Sequence, residues 1–168
     1  YFHPDVSIKD SDIEWYVSAS KKYAKYHFNE SDTSKMQWSY YLYGEWDKGY
    51  LTHQGVDIKH SDGREVRNVT GNRSHRGEVI RVDKGGSLDG CVVVYDNYLK
   101  ESIIYMHIGD PKVEVGDKIK AGDVIGTQSS KKHHTHFQAQ DGETTKIEPA
   151  SYDKLNTRIP YGFMTWYI

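Results

Sequence analysis

The sequence has a single cysteine, Cys91, among 168 residues, so no internal disulfide can staple it. A chain of this length can bury a real hydrophobic core without one. Cys91 opens the apolar run Cys91-Val92-Val93-Val94-Tyr95 with no activating neighbour, the setting of a buried small hydrophobe rather than a nucleophile. No apolar stretch reaches the roughly 18–20 residues a membrane span needs. There is no block of lysine and arginine, and the formal net charge is −2, so the electrostatic footprint of a nucleic-acid binder is missing. The first residue is Tyr1 rather than Met, which leaves room for an export signal or membrane anchor upstream.

What is abundant is aromatic and imidazole side chains, with 14 tyrosines, four tryptophans and nine histidines. Tyrosine and tryptophan suit half-buried positions that keep a hydroxyl or indole N–H wet. Residues 1–45 read as an N-terminal extension. Ser11-Asp12-Ile13-Glu14 has the capping-box pattern, in which Ser11 caps and Glu14 reaches back. Ile13, Tyr16, Val17, Ser20, Tyr23, Ala24 and His27 follow at helical spacing, which predicts a helix over about 12–27. Gln37 to Tyr43 is aromatic and reads as extended.

Residues 46–168 read as one domain, and from about residue 50 short strands and turns dominate. Candidate strands are 55–58, 78–82, 91–95, 102–108 and 137–139, with Gly85-Gly86 and Asp89-Gly90 turning the chain between the second and third. Between Val113 and Gly126, short apolar pieces alternate with Gly-Asp turns, which reads as a hairpin. Many short strands with frequent turn signals predict a mainly β, antiparallel sandwich or barrel-sandwich core over about 50–152. There is no tandem repeat.

Chemistry-bearing residues fall into three groups. In His53-Gln54-Gly55-Val56-Asp57, a neutral ring nitrogen and an anionic oxygen four residues apart suit Zn²⁺, and Gly55 permits close backbone approach. In His134-Thr135-His136, residues i and i+2 on a strand face the same way, so two imidazoles share one space while His133 faces away. In Tyr105-Met106-His107, a histidine follows a buried apolar strand. Each group alone is equally what a solvated surface or a satisfied core would carry.

Their order carries more. H-x-x-x-D, a strand-borne Tyr-x-His, the V-x-V-G-D-x-I-x-A-G-D-x-I-G stretch, H-x-H-F and then Ile147-Glu148-Pro149 together resemble the lysostaphin/LytM-type zinc endopeptidases. The resemblance covers about 50–152. It implies that His53, Asp57 and His136 bind one zinc per chain. It also implies that His134 is the catalytic base or water-orienting residue and that His107 assists by polarising water or stabilising the oxyanion; Tyr105 reads as structural. Three protein ligands leave the open position of a catalytic zinc site, and a histidine fits as base because the H-E-x-x-H pattern is absent. The implied substrate is a peptide cross-link of bacterial peptidoglycan, either a glycine-containing bridge or a D-Ala link, which requires an extracytoplasmic protein, secreted or in the cell envelope.

Two loops depart from the family's pattern. Residues 70–76 look like an insertion, and Thr127-Gln128-Ser129-Ser130-Lys131-Lys132-His133 replaces a glycine-rich run before H-x-H, which puts substrate choice in question. The alternative is a catalytically silent LytM-like domain that serves as a binding or regulatory module in the cell envelope or a sporulation complex. A lipoyl-carrier-like module fits less well: the 113–126 stretch lacks a suitably flanked lysine, and the His/Asp set would be unexplained.

Overall fold

The computed structural model describes residues 25, 27–41, 46–47, 51–70, 76–149 and 156–158. The helix expected over 12–27 falls mostly outside these, as do residues 71–75 of the 70–76 loop; Lys25, His27 and Phe28 carry helical backbone. A short 3-10 turn, Thr33–Lys35, leads into β1 (Met36–Tyr41). There follow β2 (Trp46–Asp47), β3 (Leu51–Thr52), β4 (Val56–His60), β5 (Glu65–Arg67), β6 (Gly77–Asp83) and β7 (Cys91–Asp96). The chain continues with β8 (Glu101–Met106), β9 (Ile108–Gly109), β10 (Lys118–Ile119), β11 (Val124–Gln128) and β12 (Thr135–Asp141).

Seven strands form one antiparallel sheet in the order β1-β4-β12-β8-β7-β6-β10, and β5-β11-β9 form a second. β2 and β3 pair separately. The main core includes Val56, Ile58, Tyr105, Phe137 and Ala139 from the large sheet and Val66, Ile108 and Ile125 from the small one, all buried. Each of the valine, isoleucine and phenylalanine side chains contributes roughly 1.5–3 kcal/mol by leaving water. The strand period of two sorts β12 and its neighbours cleanly. Val56, Ile58, Tyr105 and Phe137 join the main core, whereas Ile104 and Met106 join a second cluster with Cys91 and Val93 on the other face. Burial pushes the Cys91 thiol up to about 12, which keeps it protonated and inert.

Two expectations are revised. The 113–126 stretch is not a hairpin: β10 pairs with β6, while β11 pairs with β5 and β9. The turn between them takes the chain from one sheet to the other, and the Asp123 side chain closes it by accepting from Lys120 N–H at 2.9 Å. The strand expected over 102–108 is interrupted at His107, whose φ of 66° leaves the extended region. There the chain passes from the large sheet (β8) to the small one (β9). Other expected strands differ in length, β12 running 135–141 and β4 running 56–60, and the short strands β2, β3 and β5 fall outside the expected set.

Candidate metal centre

The site is assembled by the pairing of β4, β12 and β8. His136 on β12 stands directly opposite Asp57 on β4 and Met106 on β8. Opposed residues of an antiparallel ladder share a face with Cβ atoms about 4.5–5.5 Å apart, so the register alone brings Asp57 to His136 and sets His107 one residue past the end of β8. His53 arrives from the segment before β4. That segment presses against β12 at Gly55, where a Cβ would lie 2.2 Å from the Phe137 carbonyl oxygen and 2.7 Å from His136 Nε2. Only glycine fits there, and this is the close approach the sequence anticipated.

His53 Nε2, Asp57 Oδ1 and His136 Nδ1 converge. The separations are 3.3 Å from His53 to Asp57, 2.8 Å from His136 to Asp57 and 3.2 Å between the two rings. Tetrahedral ligands at roughly 2.0–2.1 Å from zinc stand about 3.3 Å from one another, so this donor set suits that ion. It is the one group of three or more potential ligands among the described residues. Burial pushes the Asp57 carboxyl up, but hydrogen bonds and attraction from His136 and His53 outweigh it and hold the group far below the usual carboxylate range. It is therefore an anion at neutral pH.

Three further ring nitrogens in the cluster have a defined partner. His136 Nε2 lies 2.8 Å from Gln138 Oε1. The Gln138 amide nitrogen donates to Gln140 Oε1 and to the Glu148 carbonyl, so Oε1 must face the ring and His136 carries a proton on Nε2. Its Nδ1 donates to Asp57 here, and a metal at the site would take the place of that proton while Gln138 holds the ring through Nε2. His107 Nδ1 lies 2.7 Å from the Leu88 carbonyl, and His134 Nδ1 lies 2.7 Å from the Lys132 carbonyl. Carbonyls only accept, so both rings donate from Nδ1 and keep an Nε2 lone pair while neutral. His134 Nε2 is 3.6 Å from Asp57 Oδ2, and the His107 ring is 4.9 Å from that of His134 and 6.4 Å from that of His136. Burial holds His107 below its ordinary pKa, although the Leu88 carbonyl opposes this.

All five residues singled out in the sequence thus meet in one place. His134 sits one position before β12 begins and is half-buried; His133 has φ 58° and is exposed in the preceding turn. Tyr105 faces the other way, donating from its hydroxyl to Asn68 Oδ1 and accepting from Val69 N–H. The sequence reading missed Gln138 and Gln140. Their spacing of two and four from His136 marks them as sharing its face. It also missed the cleft beside the cluster, about 580 Å³, lined by His53, His136, Leu88, Met106, Ile147 and Glu148 among others.

The chain thus presents an antiparallel β fold with a candidate metal-binding His–Asp–His trio, two of whose members line a cleft. Residues 51–149 match the model of Peptidase family M23, and the chain belongs to that family. It is 27% identical over 147 residues to Endolysin 2638A of Staphylococcus phage 2638A, covering 82% of this chain and 27% of the endolysin. It is 29% identical over 128 residues to Stage II sporulation protein Q of Bacillus subtilis, covering 73% of this chain and 42% of that protein. The chain therefore spans less than half the length of either relative. In fold it is similar to the catalytic domain of the antimicrobial peptidase lysostaphin from Staphylococcus simulans, with a TM-score of 0.57 at 24% identity over 74% of this chain and 90% of that one.

Proposed function

We infer that the chain is a zinc-dependent endopeptidase that cuts peptide cross-links of bacterial peptidoglycan outside the cytoplasmic membrane. The observation that carries this is the convergence of His53, Asp57 and His136 beside two histidines whose Nδ1 atoms are already engaged. Similarity to an endolysin and to an antimicrobial peptidase supports the substrate class. Among the described residues no helix is long and apolar enough to cross a membrane.

His53 and His136 would hold the ion through ring nitrogens and Asp57 through a carboxylate oxygen. Zinc in such a three-ligand site supplies Lewis acidity toward a carbonyl and lowers the pKa of water. His134, donating to Lys132 through Nδ1, offers Nε2 as the base that takes a proton from water and returns it to the leaving amine. His107 also keeps an Nε2 lone pair while neutral, and burial keeps it neutral. That favours the water-orienting role over oxyanion stabilisation, which would need a proton on Nε2.

The test is digestion of defined muropeptides, both glycine-bridged and D-Ala-linked, with and without chelator, read by mass spectrometry. Cleavage of one class that chelator abolishes is the expected result. Absence of chelator-sensitive cleavage in both classes would overturn the reading. It would favour a silent cell-envelope binding module, a reading supported by the similarity to a sporulation protein.

A further inference from the structure

Both histidines of the proposed mechanism are held from the turn between β6 and β7, residues 84–90. The connection to His107 is direct: the Leu88 carbonyl accepts from His107 Nδ1, and the Gly90 carbonyl accepts from His107 N–H at 2.9 Å. Gly90 is confined there, since a Cβ would lie 1.8 Å from the Ile108 carbonyl oxygen.

The connection to His134 runs through side chains. The half-buried Asp89 carboxylate accepts from the hydroxyl of Ser129, which is buried. With its proton so committed, the Ser129 oxygen turns its lone pairs to the N–H groups of Lys131 and Lys132, at 3.1 and 2.9 Å. His133 N–H closes the same turn on the Ser129 carbonyl at 2.9 Å. The turn so fixed aims the Lys132 carbonyl at His134 Nδ1. Ser129 N–H in turn donates to the His107 carbonyl at 3.0 Å, which joins the two branches. Asp89, His107 and His133 all have positive φ, at 50°, 66° and 58°. Such conformations persist in non-glycine residues only where surrounding contacts over-determine them.

We propose that Asp89 is a positioning residue for His134, acting through the Ser129 hydroxyl, so that one turn sets the orientation of both histidines. The proposal rests on the peptidase reading for its catalytic consequence but not for the tautomer it assigns. It gives the loop 127–133, which lacks the family's glycine-rich run, a defined task. Ser129 and the two lysine amides form the cradle that Asp89 orients. The side chains of Lys131 and Lys132 stay exposed, so they are not what the loop supplies to His134.

The test combines histidine ¹⁵N tautomer spectra with kinetics on the full chain, comparing Asp89→Ala, Ser129→Ala, the double variant and Asp89→Asn. The wild-type His134 signal, assigned by its loss in His134→Gln, should report the Nδ1–H form. Both alanine variants should show mixed tautomers at His134, while His107, whose Leu88 acceptor is not part of the turn that the Ser129 hydroxyl fixes, keeps its Nδ1–H form as an internal control. Loss of one charge-assisted hydrogen bond should lower kcat roughly tenfold, with KM and zinc content unchanged. The double variant should be no worse than the poorer single one, and Asp89→Asn, which keeps an acceptor oxygen, should recover most of the loss. Retention of the Nδ1–H form at His134 in both alanine variants, or multiplicative losses in the double variant, would overturn the proposal. If Asp89→Ala does not fold, Ser129→Ala carries the same comparison. If the wild type cleaves no cross-link, the peptidase reading fails while the spectra still decide the role of Asp89.

Discussion

Acid should loosen the protein through a residue behind the candidate site. The His27 side chain is fully buried among Phe28, Tyr105 and Phe137. Its Nε2 lies 2.8 Å from the hydroxyl of Thr135, which itself donates to the Ile58 carbonyl. Thr135 Oγ1 therefore accepts, and His27 is neutral with its proton on Nε2. Burial lowers its pKa from 6.5 to about 3. The unfolded chain then binds the extra proton between these values, so stability is complete above pH 6.5 and falls as pH drops toward 3. At pH 5, about 1.5 units below the unfolded pKa and ~1.36 kcal/mol per unit, the loss is about 2 kcal/mol. Urea unfolding at pH 7.5 and pH 5.0 measures it, and His27→Gln, which keeps a donor for Thr135, isolates it. The wild type should lose about 2 kcal/mol more than the variant over this interval. An equal pH dependence in the two proteins would refute the reasoning. Because Thr135 lies between His134 and His136, the strand destabilised by acid is the one that carries the site.

Other outcomes follow from the cluster itself. Purified protein should carry about one zinc per chain by elemental analysis, consistent with the three-ligand geometry, and His136→Ala should abolish tight binding. Full-affinity zinc in that variant would remove His136 from the ligand set. His134→Ala should keep its zinc but lose cleavage by roughly 10²–10⁴-fold, the usual worth of a general base; near-normal turnover on a muropeptide would assign the base elsewhere. Gln138→Leu should weaken zinc affinity about 10–100-fold in a chelator competition, because His136 would lose the partner that fixes its tautomer.

How much of this was legible in the sequence follows from the reach of each signal. Gly55 and the four-residue separation of His53 from Asp57 are local, and the alternation of His134 and His136 is a strand period, so all could be read without the fold. The mainly β core was legible from short apolar runs between turn residues. Which strands pair was not, because β10 and β11 are adjacent in sequence but join different sheets, and that is settled by long-range contacts. The interruption at His107 was hidden for a different reason: nothing in Tyr105-Met106-His107-Ile108 signals a left-handed residue. Gln138 and Gln140 escaped notice because an amide has no metal-ligand signature. Their role depends on the Lys146 and Glu148 backbone, with which they exchange hydrogen bonds.

The left-handed backbone at His107 has a consequence for stability. A histidine there costs about 1–2 kcal/mol relative to glycine, offset in part by the hydrogen bond its ring donates to the Leu88 carbonyl. If His107 serves the proposed hydrolysis, the backbone strain at the β8–β9 corner is borne for chemistry, and His107→Gly should relieve that strain at the expense of the Leu88 hydrogen bond.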